Sequence, residues 1–283
     1  MNPSVALPPP VVLTFAATDP TGGTGIQADC ASVAAIGCHA LSVVTSLTVQ
    51  DSVGVFGVLP VDAEWVEDQA RAVLEDMPVD AFKVGLVGCV ENIVAIANVL
   101  SDYPDVPVVF DPLLISGRGD ELVDEEMLAA LRALLLPQVT VLTVNAHEAR
   151  RLAAPDEEDE GALETAAGRL VELGCEYVLL SGTQAHSAQV INDLYSAAGR
   201  IQREAWPRLP GSYHGAGCTL SAAVAACLAH GLAVPDAVRE AQEFTWRALA
   251  AAFRPGMGRS LPDRFFWARR SATSAAAPNV QED

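Results

Sequence analysis

A glycine-rich turn runs directly into an apolar helical segment in the stretch Gly211-Ser-Tyr-His-Gly-Ala-Gly-Cys-Thr-Leu-Ser221. Glycine lets the backbone turn sharply and come close to a ligand with no Cβ atom in the way. The first turn of a helix presents N–H groups without partners, and the helix dipole adds positive potential there. The segment Gly215–Cys218 therefore predicts an anion site, most naturally for phosphate. On these residues alone, a helix cap with a small buried cysteine is an equally good interpretation.

Cys218 lies on the first turn of the predicted helix, where a thiol is expected to favour the thiolate. A Cys–His nucleophile would pair it with His214, but no third group that would orient the histidine is evident. Zinc chemistry has little support, because the five histidines show no H-E-x-x-H spacing and the six cysteines form no C-x-x-C pair. Five of the cysteines lie in apolar contexts and are interpreted as reduced core residues.

Apolar runs typical of buried strands alternate at least six times with helical patterns. The pattern predicts strands over 11–16, 43–50, 81–85, 107–112, 139–145 and 176–182, and a hairpin over 190–195 and 200–205. It predicts helices over 26–36, 63–77, 91–100, 125–136, from 146 to 152, over 163–173, 220–228 and 235–253. Such alternation is typical of an α/β fold, with a mostly parallel central sheet and helices on both faces.

Ligands of parallel α/β sheets bind at the carboxyl ends of the strands. The residues that end the predicted strands should therefore gather on one rim with the Gly215–Cys218 turn; they are Asp19, Gln50, Gly85, Asp111, Asn145 and Gly182. No linker interrupts the alternation. We predict an N-terminal tail over 1–10, a single domain over 11–267, and a disordered Ala/Ser-rich tail over 268–283.

Asp111, Asn145 and Glu148 offer the oxygen ligands that Mg²⁺ prefers. Asn145 and Glu148 are three residues apart at a predicted strand-to-helix junction, so both could face one ion or its waters. An equally good interpretation is that Asn145 caps the helix and Glu148 complements its dipole. An anion site together with Mg²⁺ is the minimum apparatus for phosphoryl transfer.

The composition narrows the possible partners. The net charge of −19 argues against nucleic acid or an anionic membrane. Lys83 is the only lysine and no Gly-Lys pair occurs, which excludes a P-loop. The first ten residues lack the basic region of a signal peptide, and no apolar run approaches the roughly 18 residues of a membrane span. We therefore expect a cytoplasmic protein.

Three segments, 18–29, 42–50 and 214–222, resemble the hydroxymethylpyrimidine and phosphomethylpyrimidine kinases of thiamin biosynthesis, within the ribokinase-like superfamily. The resemblance runs from about Val11 to Phe253. It implies a ribokinase-like three-layer sandwich, usually dimeric. It also implies ATP as phosphoryl donor, Mg²⁺, and phosphorylation of 4-amino-5-hydroxymethyl-2-methylpyrimidine.

The resemblance also implies roles for single residues. Gln50 would hydrogen-bond the aminopyrimidine edge, since an amide can both donate and accept. Cys218 would replace the aspartate base of related sugar kinases, with a pKa near neutral. The substrate pocket would be completed by Thr48, Ala17, Asp19, Thr24, Leu86 and Leu113. The transferred phosphate would be held by Gly215, Ala216 and Gly217, the nucleotide by Ser181, Gly182 and Thr183, and the metal by Asp111, Asn145 and Glu148.

Some residues depart from the family pattern. Ala17 stands where the family usually has glycine, and Ser181-Gly-Thr-Gln184 lacks a lysine normally close to the nucleotide phosphates. The segment 114–120 lacks another lysine that the family often carries, and Arg118 in that segment is a candidate to supply the charge. These departures leave open whether both the alcohol and its monophosphate are phosphorylated. Two alternatives remain at this point: a pyridoxine or pyridoxal kinase, and a non-catalytic pyrimidine-binding protein.

Overall fold

The computed structural model describes residues 8–115, 119, 121–153, 163–184 and 187–269. The strands are β1 (Val11–Ala17), β2 (His39–Gln50), β3 (Val55–Pro60), β4 (Ala81–Val84), β5 (Val108–Phe110), β6 (Val141–Asn145), β7 (Tyr177–Ser181), β8 (Gln189–Ser196) and β9 (Gly199–Pro207). The helices are α1 (Gly25–Ala35), α2 (Ala63–Leu74), α3 (Val90–Ser101), α4 (Glu125–Ala130), α5 (Ala146–Ala153), α6 (Leu163–Glu172), α7 (Ala216–Ala229) and α8 (Val234–Ala250).

Within the described residues the strands form one sheet in the order β3-β2-β1-β4-β5-β6-β7-β8-β9. The six central strands, β2-β1-β4-β5-β6-β7, all pair in parallel. Antiparallel β3 adds to one edge, and the antiparallel strands β8 and β9 add to the other. The predicted α/β fold with a mostly parallel sheet is confirmed, and the carboxyl ends of six strands point to one rim.

Helices cover both faces of the sheet. Alternate residues of β1 show this directly, because Val12 packs in the core with α1, α7 and α8, whereas Leu13 and Phe15 pack in the core with the other helices. Burial on both faces explains why the parallel strands are continuous apolar runs. Helix α7 is apolar all round because it lies between the sheet, α1 and α8. The three-layer sandwich is thereby confirmed.

Some elements differ from the sequence prediction. Strand β3 was not predicted; it contains Gly57, ends at Pro60 and is half exposed, so it lacks the apolar run of a buried strand. The helix predicted over 125–136 is α-helical only to Ala130 and continues as a π-helix, Leu131–Leu135, and a 3-10 turn, Leu136–Gln138. Pro137 provides no N–H for a continuing α-helix.

The predicted tails fall mainly on residues 1–7 and 270–283, and Arg118 is also outside the described residues. The domain boundaries therefore stay a prediction. Among the helices that the structure describes, none combines the length and the apolar character needed to cross a bilayer.

Candidate active site

Three adjoining cavities lie along the rim where the parallel strands end. The central cavity, about 310 Å³, reaches from Gln50 at the end of β2 to Asn145 at the end of β6, and the Gly215–Cys218 turn forms one wall. The inner cavity, about 30 Å³, opens beside Cys218. The outer cavity, about 310 Å³, lies between α8 and the β8–β9 hairpin. The predicted gathering of strand ends is thus observed, with the exception of Asp19.

The turn before α7 requires glycine at Gly215. Its φ of 102° is left-handed, and a Cβ atom there would overlap the carbonyl of Gly23. Buried Arg264 ties the two loops together, because it donates to the Gly23 carbonyl at 2.6 Å and to Thr219 Oγ1 at 3.1 Å. The N–H groups at the start of α7 therefore face the central cavity from a rigid turn, as an anion site requires.

Cys218 lies at the junction of the central and inner cavities. Burial raises the pKa of its thiol to about 12, although the ammonium of Lys83 opposes the shift. This corrects the expectation of a pKa near neutral. The helix N-terminus favours the thiolate, but the surrounding protein and the nearby carboxylate of Asp111 favour the thiol more strongly.

Lys83 lies beneath the site and had no role in the sequence prediction. Its side chain is 1% exposed, and Nζ donates to Asp29 Oδ2 at 2.8 Å. A Cβ atom on Gly85 would come within 2.8 Å of Nζ, so Gly85 leaves the space that the ammonium occupies. Burial opposes the charge, but Asp29 with Cys218 and Asp111 holds the pKa of Lys83 above its usual value. The site therefore has a buried cation at its floor.

Asp19 was predicted to bind substrate, but its carboxylate is 1% exposed and faces its own loop. It accepts hydrogen bonds from the N–H groups of Thr21 and Thr24, and it contacts His214 Nε2 at 3.0 Å. Burial alone would raise the pKa of Asp19, but these hydrogen bonds hold it well below its usual value. Asp19 thus positions Thr24 and His214 and does not reach the cavities.

Asn145 and Glu148 form a reciprocal cap at the start of α5. Asn145 Oδ1 accepts from the Glu148 N–H at 3.0 Å, and Glu148 Oε2 accepts from the Asn145 N–H at 2.9 Å. Both residues also line the central cavity beside Asp111. Burial and the charge of Asp111 raise the pKa of Glu148 to about 7, and burial likewise raises the pKa of Asp111. The helix cap that the sequence offered as an alternative to a metal site is therefore present, and it holds Glu148 at the wall of the cavity.

The carboxylates at the rim suit a Mg²⁺ ion that takes most of its ligands from water and substrate phosphates. Within the described ranges, no three His, Cys, Asp or Glu side chains converge as a ready-made metal cage. Mg²⁺ commonly uses one or two carboxylates and completes its shell with waters and substrate phosphates. Half-buried Asp111 and buried Glu148, each with a raised pKa, are two carboxylates of that kind.

The inner cavity brings the predicted substrate residues together. Its lining includes Ala17, Thr24, Thr48, Gln50, Leu86 and Leu113. Gln50 Nε2 donates to Thr24 Oγ1 at 3.1 Å and lies 3.5 Å from His214 Nε2, so the amide is held at the edge of the cavity. Thr48 Oγ1 donates to the Thr18 carbonyl at 2.6 Å, which ties β2 to the loop after β1. The cavity is small, mainly apolar and edged by one amide, as a heteroaromatic ring requires.

The outer cavity contains two of the four predicted nucleotide residues, and a third, Arg118, lies outside the described residues. Ser181 and Gly182 line it, whereas Thr183 hydrogen-bonds the Ile191 carbonyl of β8 and does not reach it. Trp206 and Trp246 stack beside the cavity with ring centroids 6.3 Å apart. Ser181, Ala216 and Gly217 are shared with the central cavity, so one elongated ligand could occupy both.

Four functional candidates were missed from the sequence: Lys83, Trp206, Gln242 and Arg259. Lys83 carried a signal, because a lysine inside an apolar strand needs a buried partner. Gln242 Oε1 accepts from Asn192 at 2.8 Å and from Trp206 at 3.1 Å, but these residues are remote in sequence. Arg259 follows α8 and lines the central cavity. No local pattern marks these last three as neighbours.

A three-layer α/β sandwich whose glycine turn borders three adjoining cavities at the carboxyl ends of its strands is the architecture of a ribokinase-like kinase. The comparisons with known proteins agree. The family model for phosphomethylpyrimidine kinase matches residues 19–263. The chain belongs to the phosphomethylpyrimidine kinase family.

Relatives and solved structures place the chain within this family. A hydroxymethylpyrimidine/phosphomethylpyrimidine kinase of Streptomyces coelicolor is 38% identical over 257 residues, covering 90% of this chain and 94% of the relative. The phosphomethylpyrimidine kinase of Clostridium difficile superposes with a TM-score of 0.72 at 30% identity, covering 85% and 99%. The Bacillus subtilis pyridoxal kinase in its ADP complex gives a TM-score of 0.83 at 29% identity, covering 90% and 97%.

Proposed function

We propose that this protein transfers the γ-phosphoryl group of ATP to 4-amino-5-hydroxymethyl-2-methylpyrimidine, and then to the resulting monophosphate, in thiamin biosynthesis. One observation carries the proposal: the amide-edged inner cavity opens onto Cys218 and the Gly215 turn in the central cavity. A ring bound there would place its hydroxymethyl group at the anion site.

The acceptor binds in the inner cavity in this proposal. The Gln50 amide pairs with the amino group and ring nitrogen of the pyrimidine, because an amide offers one donor face and one acceptor atom. Ala17, Leu86 and Leu113 contact the ring, and Thr48 holds the cavity wall in place. The methyl group of Ala17 narrows the cavity relative to a glycine and so favours a small ring.

The outer cavity binds the nucleotide base, and its apolar wall of Trp206 and Trp246 supports this assignment. Ser181 and Gly182 lie between this cavity and the central one, where the phosphates pass. The Gly215–Cys218 amides then receive the γ-phosphoryl group. Charge develops on its oxygens during transfer, so preorganised N–H donors lower the barrier.

Cys218 accepts the proton of the acceptor hydroxyl in this scheme. Because the pKa of its thiol is about 12 without substrates, the thiolate forms only when positive charge in the occupied site lowers that pKa. Lys83 contributes such charge from below the site. Mg²⁺ held by Asp111, Glu148 and the Asn145 region would neutralise the phosphate charge when bound.

A second candidate function is pyridoxal kinase activity. The Bacillus subtilis pyridoxal kinase shares the fold with a TM-score of 0.83, and pyridoxal also carries a hydroxymethyl group on a heteroaromatic ring. The two activities differ in the acceptor, and the Gln50 amide suits the aminopyrimidine edge better because that edge presents one donor beside one acceptor.

One assay tests these alternatives. The purified protein is incubated with ATP, Mg²⁺ and each alcohol, and the products are identified by mass. We expect pyrimidine phosphates to dominate; pyridoxal phosphate as the main product would contradict the leading proposal. Pyrimidine binding without any ATP consumption would instead indicate a non-catalytic binding protein.

A variant pair tests the role of Cys218. Cys218→Ala should lower the turnover number for the alcohol by about 100-fold or more, which is the usual contribution of a general base. Cys218→Asp restores a proton acceptor at the same position and should recover part of that loss. Equal turnover in the alanine variant and the wild type would remove Cys218 from the mechanism.

We further propose a homodimer in the cytoplasm. The exposed face of the β2–β3 edge supports the dimer, since it presents large apolar side chains to water: Leu47, Val49, Phe56 and Leu59. The cysteines are free thiols, which is typical of a reducing compartment.

A further inference from the structure

Arg259 is held at one edge of the central cavity by backbone contacts on both sides. Its N–H donates to the Ser52 carbonyl at 3.0 Å, in the turn between β2 and β3. The next residue, Ser260, donates to the Ser212 carbonyl at 3.1 Å and accepts from the His214 N–H at 2.8 Å. The segment after α8 therefore joins the β2–β3 hairpin to the anion turn and places Arg259 between them.

The guanidinium of Arg259 contacts a ring nitrogen of His214 and, among the described residues, no carboxylate. Its Nη2 lies 3.1 Å from His214 Nδ1, which must accept because a guanidinium only donates. His214 Nε2 then carries the proton and donates to Asp19 Oδ2. Arg259 Nε is buried without a hydrogen-bond partner, and no carboxylate of the described residues forms an ion pair with this side chain. The guanidinium is thus oriented by His214 and has no direct carboxylate partner among the described residues.

The position of Arg259 indicates which anion it serves. It lines the central cavity together with Gln50 and Thr24, on the side of the acceptor pocket, and it does not line the outer cavity. A phosphate bound to it would therefore belong to the acceptor. Guanidinium suits such a group, because its planar fork binds phosphate through paired N–H donors.

We propose that Arg259 binds the phosphate of the phosphorylated acceptor, a pyrimidine methyl phosphate monoester, and so selects the substrate of the second transfer. The inference rests on the proposed function. In this transfer a monoester oxygen attacks the γ-phosphorus of ATP and forms a P–O–P bond. The bond from the γ-phosphorus to the bridging oxygen breaks, and ADP leaves with its electron pair.

The two transfers make different demands on Cys218 and Arg259. An alcohol must lose its proton as it attacks, whereas a phosphate monoester, with a second pKa of about 6, is already largely dianionic at neutral pH. The second transfer therefore needs a cation for the acceptor and no general base. Cys218 serves the alcohol step, and Arg259 serves the monophosphate step.

The experiment measures both steps separately, with ATP, Mg²⁺ and either the alcohol or the monophosphate supplied as acceptor. Arg259→Gln should lower kcat/KM for the monophosphate about tenfold or more, mainly through KM, and lower it less than threefold for the alcohol. Cys218→Ala should show the opposite preference. Arg259→Lys, which keeps the charge, should recover part of the monophosphate activity.

Arg254→Gln is the matched control, because Arg254 lies in the same segment, is exposed and lines none of the three cavities. It removes the same charge and should change neither step. Equal losses of both steps in Arg259→Gln would show that Arg259 only supports His214, and would overturn the inference. A wild type that phosphorylates the alcohol but not the monophosphate would also overturn it, leaving the proposed function intact. A wild type that phosphorylates neither would refute the proposed function itself.

Discussion

Cys218 illustrates how burial can oppose a helix terminus at a single residue. The N-terminus of α7 and the ammonium of Lys83 both favour the thiolate, yet burial raises the pKa of the thiol to about 12. The free protein therefore holds a thiol, and the proposed role as proton acceptor requires the occupied site to lower this pKa. Such a residue reacts only slowly with oxidants and alkylating agents at neutral pH.

The raised pKa of Cys218 gives a pH-dependent prediction. Below a pKa of about 12 the thiolate fraction rises about tenfold per pH unit, so alkylation by iodoacetamide should accelerate across pH 7 to 9 without levelling off. The measurement is the modified fraction of the Cys218 peptide by mass spectrometry. A small thiol with an ordinary pKa of about 8.5 serves as control and should begin to level off in this range. Levelling off at Cys218 below pH 8 would contradict the raised pKa.

The ion pair of Lys83 and Asp29 gives a prediction about stability. Lys83→Met leaves the buried Asp29 charge without its partner and should lower the free energy of unfolding by about 3–5 kcal/mol. The double variant Lys83→Met/Asp29→Asn removes both charges and should recover most of the loss. Denaturant unfolding of the three proteins measures the effect. Equal stability of Lys83→Met and the double variant would contradict this coupling between the two charges.

The sequence predicted which polar and apolar residues line the inner cavity better than it predicted the charged residues around it. Residues at strand ends, such as Gln50 and Asp111, were predictable because the topology of a parallel sheet brings strand ends together. Asp19 also follows a strand, but three donors of its own loop, on Thr21 and Thr24, turn its carboxylate inward, and His214 contacts it from the other side. Lys83 and Arg259 could not be assigned, because their partners lie on other elements.

At the scale of elements, the entry to α7 depends on one backbone conformation. Gly215→Ala would force a Cβ atom into the Gly23 carbonyl at a left-handed φ of 102°. We expect a loss of about 1–2 kcal/mol from the backbone conformation alone, and a fall in turnover of about 100-fold or more as the anion site is displaced. Thermal unfolding and steady-state kinetics measure the two effects.

Gly231, at the other end of α7, is the matched control. Its φ of 81° is also left-handed, but nothing lies within 4 Å of an added Cβ atom. Gly231→Ala should cost a similar backbone strain and keep normal turnover. If both alanine variants kept normal turnover, the turn at Gly215 would not contribute the anion site.

Element boundaries were predictable where burial or a long helical pattern was strong. Strands β1 and β4 and helices α3 and α8 lie within a few residues of their predicted positions. Strand β3 escaped prediction because half of its residues face water and because the strand pairs only with β2. The π-helical continuation after α4 is a response to Pro137 and to packing, which no local pattern reports.

At the scale of the whole molecule, the β2–β3 edge tests the proposed dimer. Leu47 and Leu59 face each other across the two strands and are 50% and 64% exposed. Leu59→Glu should convert a dimer to a monomer, measured by light scattering after size-exclusion chromatography. Ile201→Glu, on the opposite edge strand β9 and 41% exposed, should leave the dimer intact. A wild type that is monomeric would exclude the proposal.

The single lysine has a practical consequence for chemical labelling. Lys83 is the one lysine of the sequence, and it is 1% exposed and paired with Asp29. Every basic side chain at the surface is therefore an arginine or a histidine. Amine-directed esters should therefore modify the folded chain only at its α-amino group. Modification of Lys83 requires the packing around its ion pair to open, so a second label per chain would count opening events at the floor of the site without any engineered probe.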